Sequence, residues 1–121
     1  MTGFWYLASV YSRYPGGIDA AFALACRQTA VLIRAGVPTF SPIAHSHSVA
    51  IHGGIDPRDH SIWIPADQPF MNAARGLIVL MAEGWTESAG VRAEIAIFRA
   101  AAKPIMYMAP GIVPAGLGVV A

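Results

Sequence analysis

Four short apolar runs, Phe4–Ala8, Val37–Phe40, Gly76–Met81 and Ile105–Met108, alternate along this chain with Ala-rich stretches of helical character. That alternation restricts the fold more than any other feature. Short runs bounded by Gly, Pro and Ser read as buried strands. Strands interleaved with helices imply a parallel sheet covered on both faces, and right-handed crossovers make it doubly wound. At 121 residues the chain can bury one core. The expectation is a single α/β domain over residues 1–121, a small doubly wound parallel sheet of flavodoxin-like or Rossmann-like type.

The segments between the strands divide into helices and one irregular stretch. Asp19 is placed to cap a first helix that runs to about Ala35 and stops at Gly36, with Phe22, Cys26, Thr29 and Ile33 as its inner face. Ala44–Asp67 carries all four histidines, a Gly53-Gly54 turn signal, Pro57 and Pro65, and reads as irregular. Asp67 would cap a short helix, Gln68–Ala74. Thr86 and Ser88 offer cap hydroxyls for a helix reaching about Ala102 and ending before Lys103-Pro104.

Charge excludes some partners. Eight Lys+Arg against seven Asp+Glu give a net charge of +1, and the positive residues form no stripe. Duplex nucleic acid is therefore not an expected partner. Cys26 is the only cysteine, so there is neither an internal disulfide framework nor a zinc site built on several thiolates. The first residues, MTGFWYLASV, lack a charged leader region. Pro104–Ala121 carries no charge but is broken by Pro and Gly, unlike a regular membrane-spanning helix. The chain reads as soluble and cytoplasmic, with no membrane partner.

Chemistry concentrates in Gly84–Glu94, GWTESAGVRAE. Glu94 has Gly90, Val91, Ile97 and Phe98 at helical neighbour spacing, none of them a cation. A carboxylate on an oily face costs several kcal/mol if it is buried unpaired, of the order given for isolated charges. It therefore needs a partner from outside its helix, either a structural one such as Arg75 or a ligand. Doubly wound sheets bind ligands at the carboxyl ends of their strands, which selects the loops after Ala8, Phe40, Met81 and Met108. The first loop offers Ser9, Tyr11, Ser12 and Arg13 to an anion, and the Ser88-Ala89-Gly90 turn offers a helix start. Neither loop is a GxGxxG or Walker pattern, so no cofactor is expected. His45 and His47, spaced i, i+2, would point the same way on an extended segment, either lining a pocket or reaching a metal.

Tyr6-Leu7-Ala8-Ser9, Ser41-Pro42-Ile43, Asp67 ahead of a helix, and Ser88-x-Gly90-x-x-x-Glu94 occur in an order that resembles the nucleoside 2-deoxyribosyltransferase superfamily. The likeness runs from Phe4 to Tyr107 and is nearest to small bacterial members. It implies a substrate with an N-glycosidic bond between a (deoxy)ribose and a base. Glu94 matches the family's nucleophile at C1′, Tyr6 the residue orienting it, and Asp67 the residue handling the base or a proton. Ser88 and Gly90 match positions that hold a 5′-phosphate in the monophosphate hydrolase branch, assisted by a loop that here includes Ser9 and Arg13. Ser41, His45, His47, Trp63 and Arg75 complete the candidate substrate-binding set, with no metal ligand among them. Arg75 stands where many relatives carry Asp.

The expected activity is N-glycosidic cleavage or base exchange on a (deoxy)nucleoside or its 5′-monophosphate. Two alternatives come from other classes: a non-catalytic nucleotide-binding module on the same fold, and a metal-dependent hydrolase built on His45 and His47. The charge-free stretch Pro104–Ala121 is expected to pack across a subunit interface in a homo-oligomer.

Overall fold

The computed structural model describes residues 3–117. Among these, four strands form one all-parallel sheet: β1 (Trp5–Ala8), β2 (Thr39–Phe40), β3 (Gly76–Leu80) and β4 (Ile105–Met108), in the order β2-β1-β3-β4. Four α-helices connect them: α1 (Ile18–Arg34), α2 (Pro42–Gly53), α3 (His60–Ala73) and α4 (Ala89–Ala100). Trp5 pairs with Gly76 and Ala8 with Val79, while Leu77 pairs with Ile105. Every residue of β1 and β3 is buried, as central strands covered on both faces require. This is the doubly wound α/β sheet that the strand–helix alternation implies.

Strand alternation splits the core into two layers. Trp5, Leu7, Ile78 and Leu80 face Leu24 and Leu32 of α1. Tyr6, Ala8, Leu77 and Val79 face Met71 of α3 and Val91 and Phe98 of α4. A Cβ on Gly76 would lie 2.8 Å from the Pro104 carbonyl and inside the Trp5 ring, so only glycine lets β3 begin there.

The helix edges differ from expectation in ways that matter for the site. Asp19 sits in the first turn of α1, whose cap position is Gly17, and makes no capping bond. The inner face of α1 is Ala21, Leu24, Ala25, Gln28 and Leu32, whereas Ile33 is 56% exposed. The stretch read as irregular is largely helical. Ser41 caps α2, its hydroxyl accepting from the Ala44 amide at 3.1 Å. Asp59 caps α3, accepting from the Ser61 amide at 3.1 Å, so Asp67 lies inside a helix rather than at its start. Pro65 and Pro69 are four apart and both exposed, so one outward face of α3 carries both rings. Lys103 secures the far end of α3, its Nζ donating to the carbonyls of Met71, Asn72 and Ala74 at 3.1, 2.6 and 2.6 Å. A cation there also meets the negative end of the helix dipole.

Thr86 belongs to a short 3-10 turn (Trp85–Glu87), and Ser88 alone caps α4, accepting from the Val91 amide at 3.2 Å. After β4 the chain returns over the α1 layer, where the Gly111 amide donates to Gln28 Oε1 at 2.6 Å and Val113 and Leu117 pack on the core. Residues 118–121 of the expected interface stretch lie outside the described residues. Among the described residues no helix is long and apolar enough to cross a membrane.

Candidate active site

A pocket of about 450 Å³ opens at the carboxyl ends of β1 and β3. The order β2-β1-β3-β4 makes this the point where the chain reverses its direction across the sheet, the crevice where such folds take ligands. The loop after β1 supplies Ser9, Tyr11 and Arg13, α3 and the turn before it supply Arg58, Trp63 and Asp67, and α4 supplies Ser88, Gly90 and Glu94. Ile43, Ile64, Met71 and Ile97 make much of the wall apolar.

Glu94 projects from α4 between the buried Val91 and Phe98 faces and is itself only partly exposed. Burial pushes its carboxyl up to about 8; the Tyr6 hydroxyl acts downward and the Asp67 charge upward. Asp67 enters from α3, where burial raises it to about 6 against the pull of nearby His45. Tyr6, on the floor, is fully buried. Burial, and then the charges of Glu94 and Asp67, hold its phenol far above the usual range, so it keeps its proton. Two carboxyl groups from different helices thus share one apolar pocket, each protonated well above the ordinary range for its type.

Tyr6 and Ser9 share a further property. Both hydroxyls are buried and neither completes a hydrogen bond, although Tyr6 approaches Glu94 closely enough to act on it. An unsatisfied buried hydroxyl costs about 1–3 kcal/mol, and native structures seldom leave one without a reason. Both residues belong to the pocket lining, with their hydroxyl oxygens buried beneath its surface.

Glycine shapes the rim. Gly84 has φ 90°, and a Cβ there would lie 2.7 Å from the Arg13 carbonyl, so the β3–α4 turn and the β1–α1 loop press together. A Cβ on Gly90 would meet nothing closer than Ser88 Oγ at 3.8 Å. Nothing inside the protein demands glycine at position 90; what its lack of a side chain leaves is open backbone at the start of α4.

Of the residues singled out from sequence, Tyr6, Ser9, Arg13, Trp63, Asp67, Ser88, Gly90 and Glu94 line the pocket. Four do not. Ser41 is consumed by capping α2. His45 and His47 lie on a helix, where a separation of two residues turns side chains about 200° apart, so they diverge instead of pointing together. His45 is exposed against the rings of Phe40 and Phe70. His47 is buried, bonded to Tyr11 and facing Asp19. That divergence removes the paired-imidazole geometry on which the metal-hydrolase alternative rested, and no group of three or more metal-ligating side chains occurs among the described residues. Arg75 lies at the amino end of β3, its guanidinium 5.3 Å from the Trp5 ring centre, and meets neither Asp67 nor Glu94.

The pocket also contains residues absent from that set. Tyr11 and Ser12, named in sequence as part of the polar loop after β1 but not carried into the substrate-binding set, line it too. Arg58 and His60 come from the turn into α3. Their approach depends on a helix that the prolines disguise, and no spacing pattern marks them.

A family model described as a domain of unknown function (DUF1937) matches residues 3–110. No curated protein matches the sequence.

Proposed function

The chain belongs to the DUF1937 family, and for this member we propose cleavage or exchange of the N-glycosidic bond of a (deoxy)nucleoside or nucleoside 5′-monophosphate, with Glu94 as nucleophile at C1′. The observation that carries the proposal is the convergence of Glu94 and Asp67 on one largely apolar pocket, with carboxyl groups raised to about 8 and about 6. Paired acids of unequal affinity are what displacement at an anomeric carbon requires. The sequence resemblance described above points to the same chemistry.

Between about pH 6 and pH 8 the pair holds a single proton. Most of the singly protonated form keeps that proton on Glu94, the group of higher affinity; the reactive form is the rarer tautomer, with the proton on Asp67 and Glu94 ionised, steadied by the Tyr6 hydroxyl. The Glu94 carboxylate then bonds to C1′ as the C1′–N bond breaks, and the Asp67 proton passes to the departing base. Asp67, now a carboxylate, takes a proton from water; the oxygen of that water attacks C1′ and releases Glu94, which completes hydrolysis. A second base attacking in place of water gives transfer. Ser88, Gly90 and Arg13, with the free Ser9 hydroxyl, form the polar end of the pocket that receives the sugar 5′ side.

Incubation with a nucleoside fluorinated at C2′, which slows release of the glycosyl group, tests this covalent step. Intact-protein mass should rise by one glycosyl unit, mapping to Glu94. Base release without an adduct, or an adduct on another residue, contradicts it. The proposal includes a homo-oligomer that uses the charge-free return after β4, where Ile112 is 65% exposed. A purely monomeric mass in light scattering at micromolar concentration contradicts that part.

A further inference from the structure

Tyr11 lines the pocket, and its hydroxyl lies 2.6 Å from Nδ1 of His47. His47 is 5% exposed, stacked on Phe22 with ring centres 4.5 Å apart. Its other nitrogen, Nε2, lies 3.2 Å from Oδ1 of Asp19 in the first turn of α1. A carboxylate oxygen only accepts, so in the neutral form of the ring Nε2 carries the hydrogen and Nδ1 is left as an acceptor. Against that form of the ring the Tyr11 hydroxyl donates to Nδ1. Burial pushes the Tyr11 phenol up, with Arg58 opposing, so the hydroxyl has a proton to give. A phenol has one hydrogen. With that hydrogen committed to His47, only oxygen lone pairs remain for the pocket.

We infer that Tyr11 is a specificity-determining residue whose oxygen accepts a hydrogen bond from a ligand hydroxyl, with His47 and Asp19 as positioning residues that fix its polarity. An acceptor-only group such as a phosphate or a carbonyl oxygen is disfavoured against Tyr11. On the reading of the pocket as a nucleoside site, on which this inference rests, the donor is a sugar hydroxyl. Asp19 acts from the protein surface, and its side chain is largely solvent-exposed.

The test has two arms. Nitrogen-15 NMR of the full chain without ligand should show His47 protonated at Nε2 and bare at Nδ1; a hydrogen on Nδ1 overturns the inference. Calorimetry on Glu94→Gln, which holds substrate without turning it over, then compares a nucleoside with its 2′-, 3′- and 5′-deoxy analogues. Loss of one hydroxyl should weaken binding roughly five- to tenfold, the worth of one neutral hydrogen bond. Adding Tyr11→Phe should erase that difference while leaving the corresponding deoxy analogue as tightly bound as before. Asp19→Ala should reduce the difference in the same direction. Equal weakening across the whole panel in Tyr11→Phe would mean Tyr11 only packs, and overturns the inference. A folded protein with the Nε2–H tautomer that binds no nucleoside refutes the nucleoside reading and the sugar assignment, while the fixed polarity of Tyr11 stands.

Discussion

Glu94 holds a proton well above the ordinary range because its helix carries it to an apolar wall, and two consequences follow at the scale of single residues. The rate of base release should follow a bell against pH, with limbs near 6 and 8: below the first both carboxyls are protonated and no nucleophile exists, and above the second no proton remains for the base. A profile rising steadily through pH 9 would contradict the shared proton. Stability runs the other way from the usual acid case. The folded protein holds the Glu94 proton up to about 8 against an ordinary 4.5, so between those values it binds more protons than the unfolded chain. Unfolding free energy therefore falls as pH rises through that window, by a few kcal/mol at most. Glu94→Gln should flatten that decline in urea titrations at pH 5 and pH 8, and an unchanged slope would place the proton elsewhere. Tyr6→Phe removes a buried hydroxyl that completes no bond. It should leave stability equal or raise it by about 1 kcal/mol while lowering turnover; a large loss of stability would mean the hydroxyl is satisfied. Glu94 was legible in sequence because helical spacing alone surrounds it with apolar residues. Arg75 was misplaced although the carboxyl-end rule excludes it: a residue just before a strand of a parallel sheet lies at the amino end, away from the crevice.

At the scale of elements, two close contacts hold the pocket walls. Gly84→Ala forces a Cβ against the Arg13 carbonyl at a positive φ. It should cost about 1–3 kcal/mol and weaken ligand binding more than Gly53→Ala, a helical glycine with open space around it. Lys103→Met strips three carbonyls at the end of α3 of their donor. A loss of about 2 kcal/mol in thermal or denaturant unfolding is expected, and a loss below the error of measurement would show that the clamp is redundant. Helices α1 and α4 were readable because their sequences are rich in good helix formers between clear stop signals. The second half of α3 was readable as the short helix Gln68–Ala74, but α2 and the first half of α3 were not, because Gly53-Gly54, Pro57 and Pro65 are turn signals in sequence. The prolines are tolerated in α3 because their rings face outward, Asp59 caps its start and Lys103 its end. Misreading this stretch carried the histidine pair with it, since side chains two residues apart agree in direction only on extended chain.

At the scale of the whole molecule, the order β2-β1-β3-β4 does what no local motif could: it sets the loop after β1 beside the turn after β3, with α3 across from both. Tyr6, Asp67 and Glu94, far apart in sequence, meet for that reason. The alternation of strands and helices made the sheet legible, and the carboxyl-end rule made the pocket's place legible. Which faces of α2 and α3 look inward depends on helix phase and packing, which the sequence pattern does not carry. N-glycosidic chemistry at Glu94 is tested most directly by incubating the protein with a panel of nucleosides and 5′-monophosphates and measuring free base by chromatography, with Glu94→Ala in parallel. Base release from at least one substrate, abolished in a folded Glu94→Ala protein, is the expected result; equal release by both proteins, or none from the folded wild type, contradicts it.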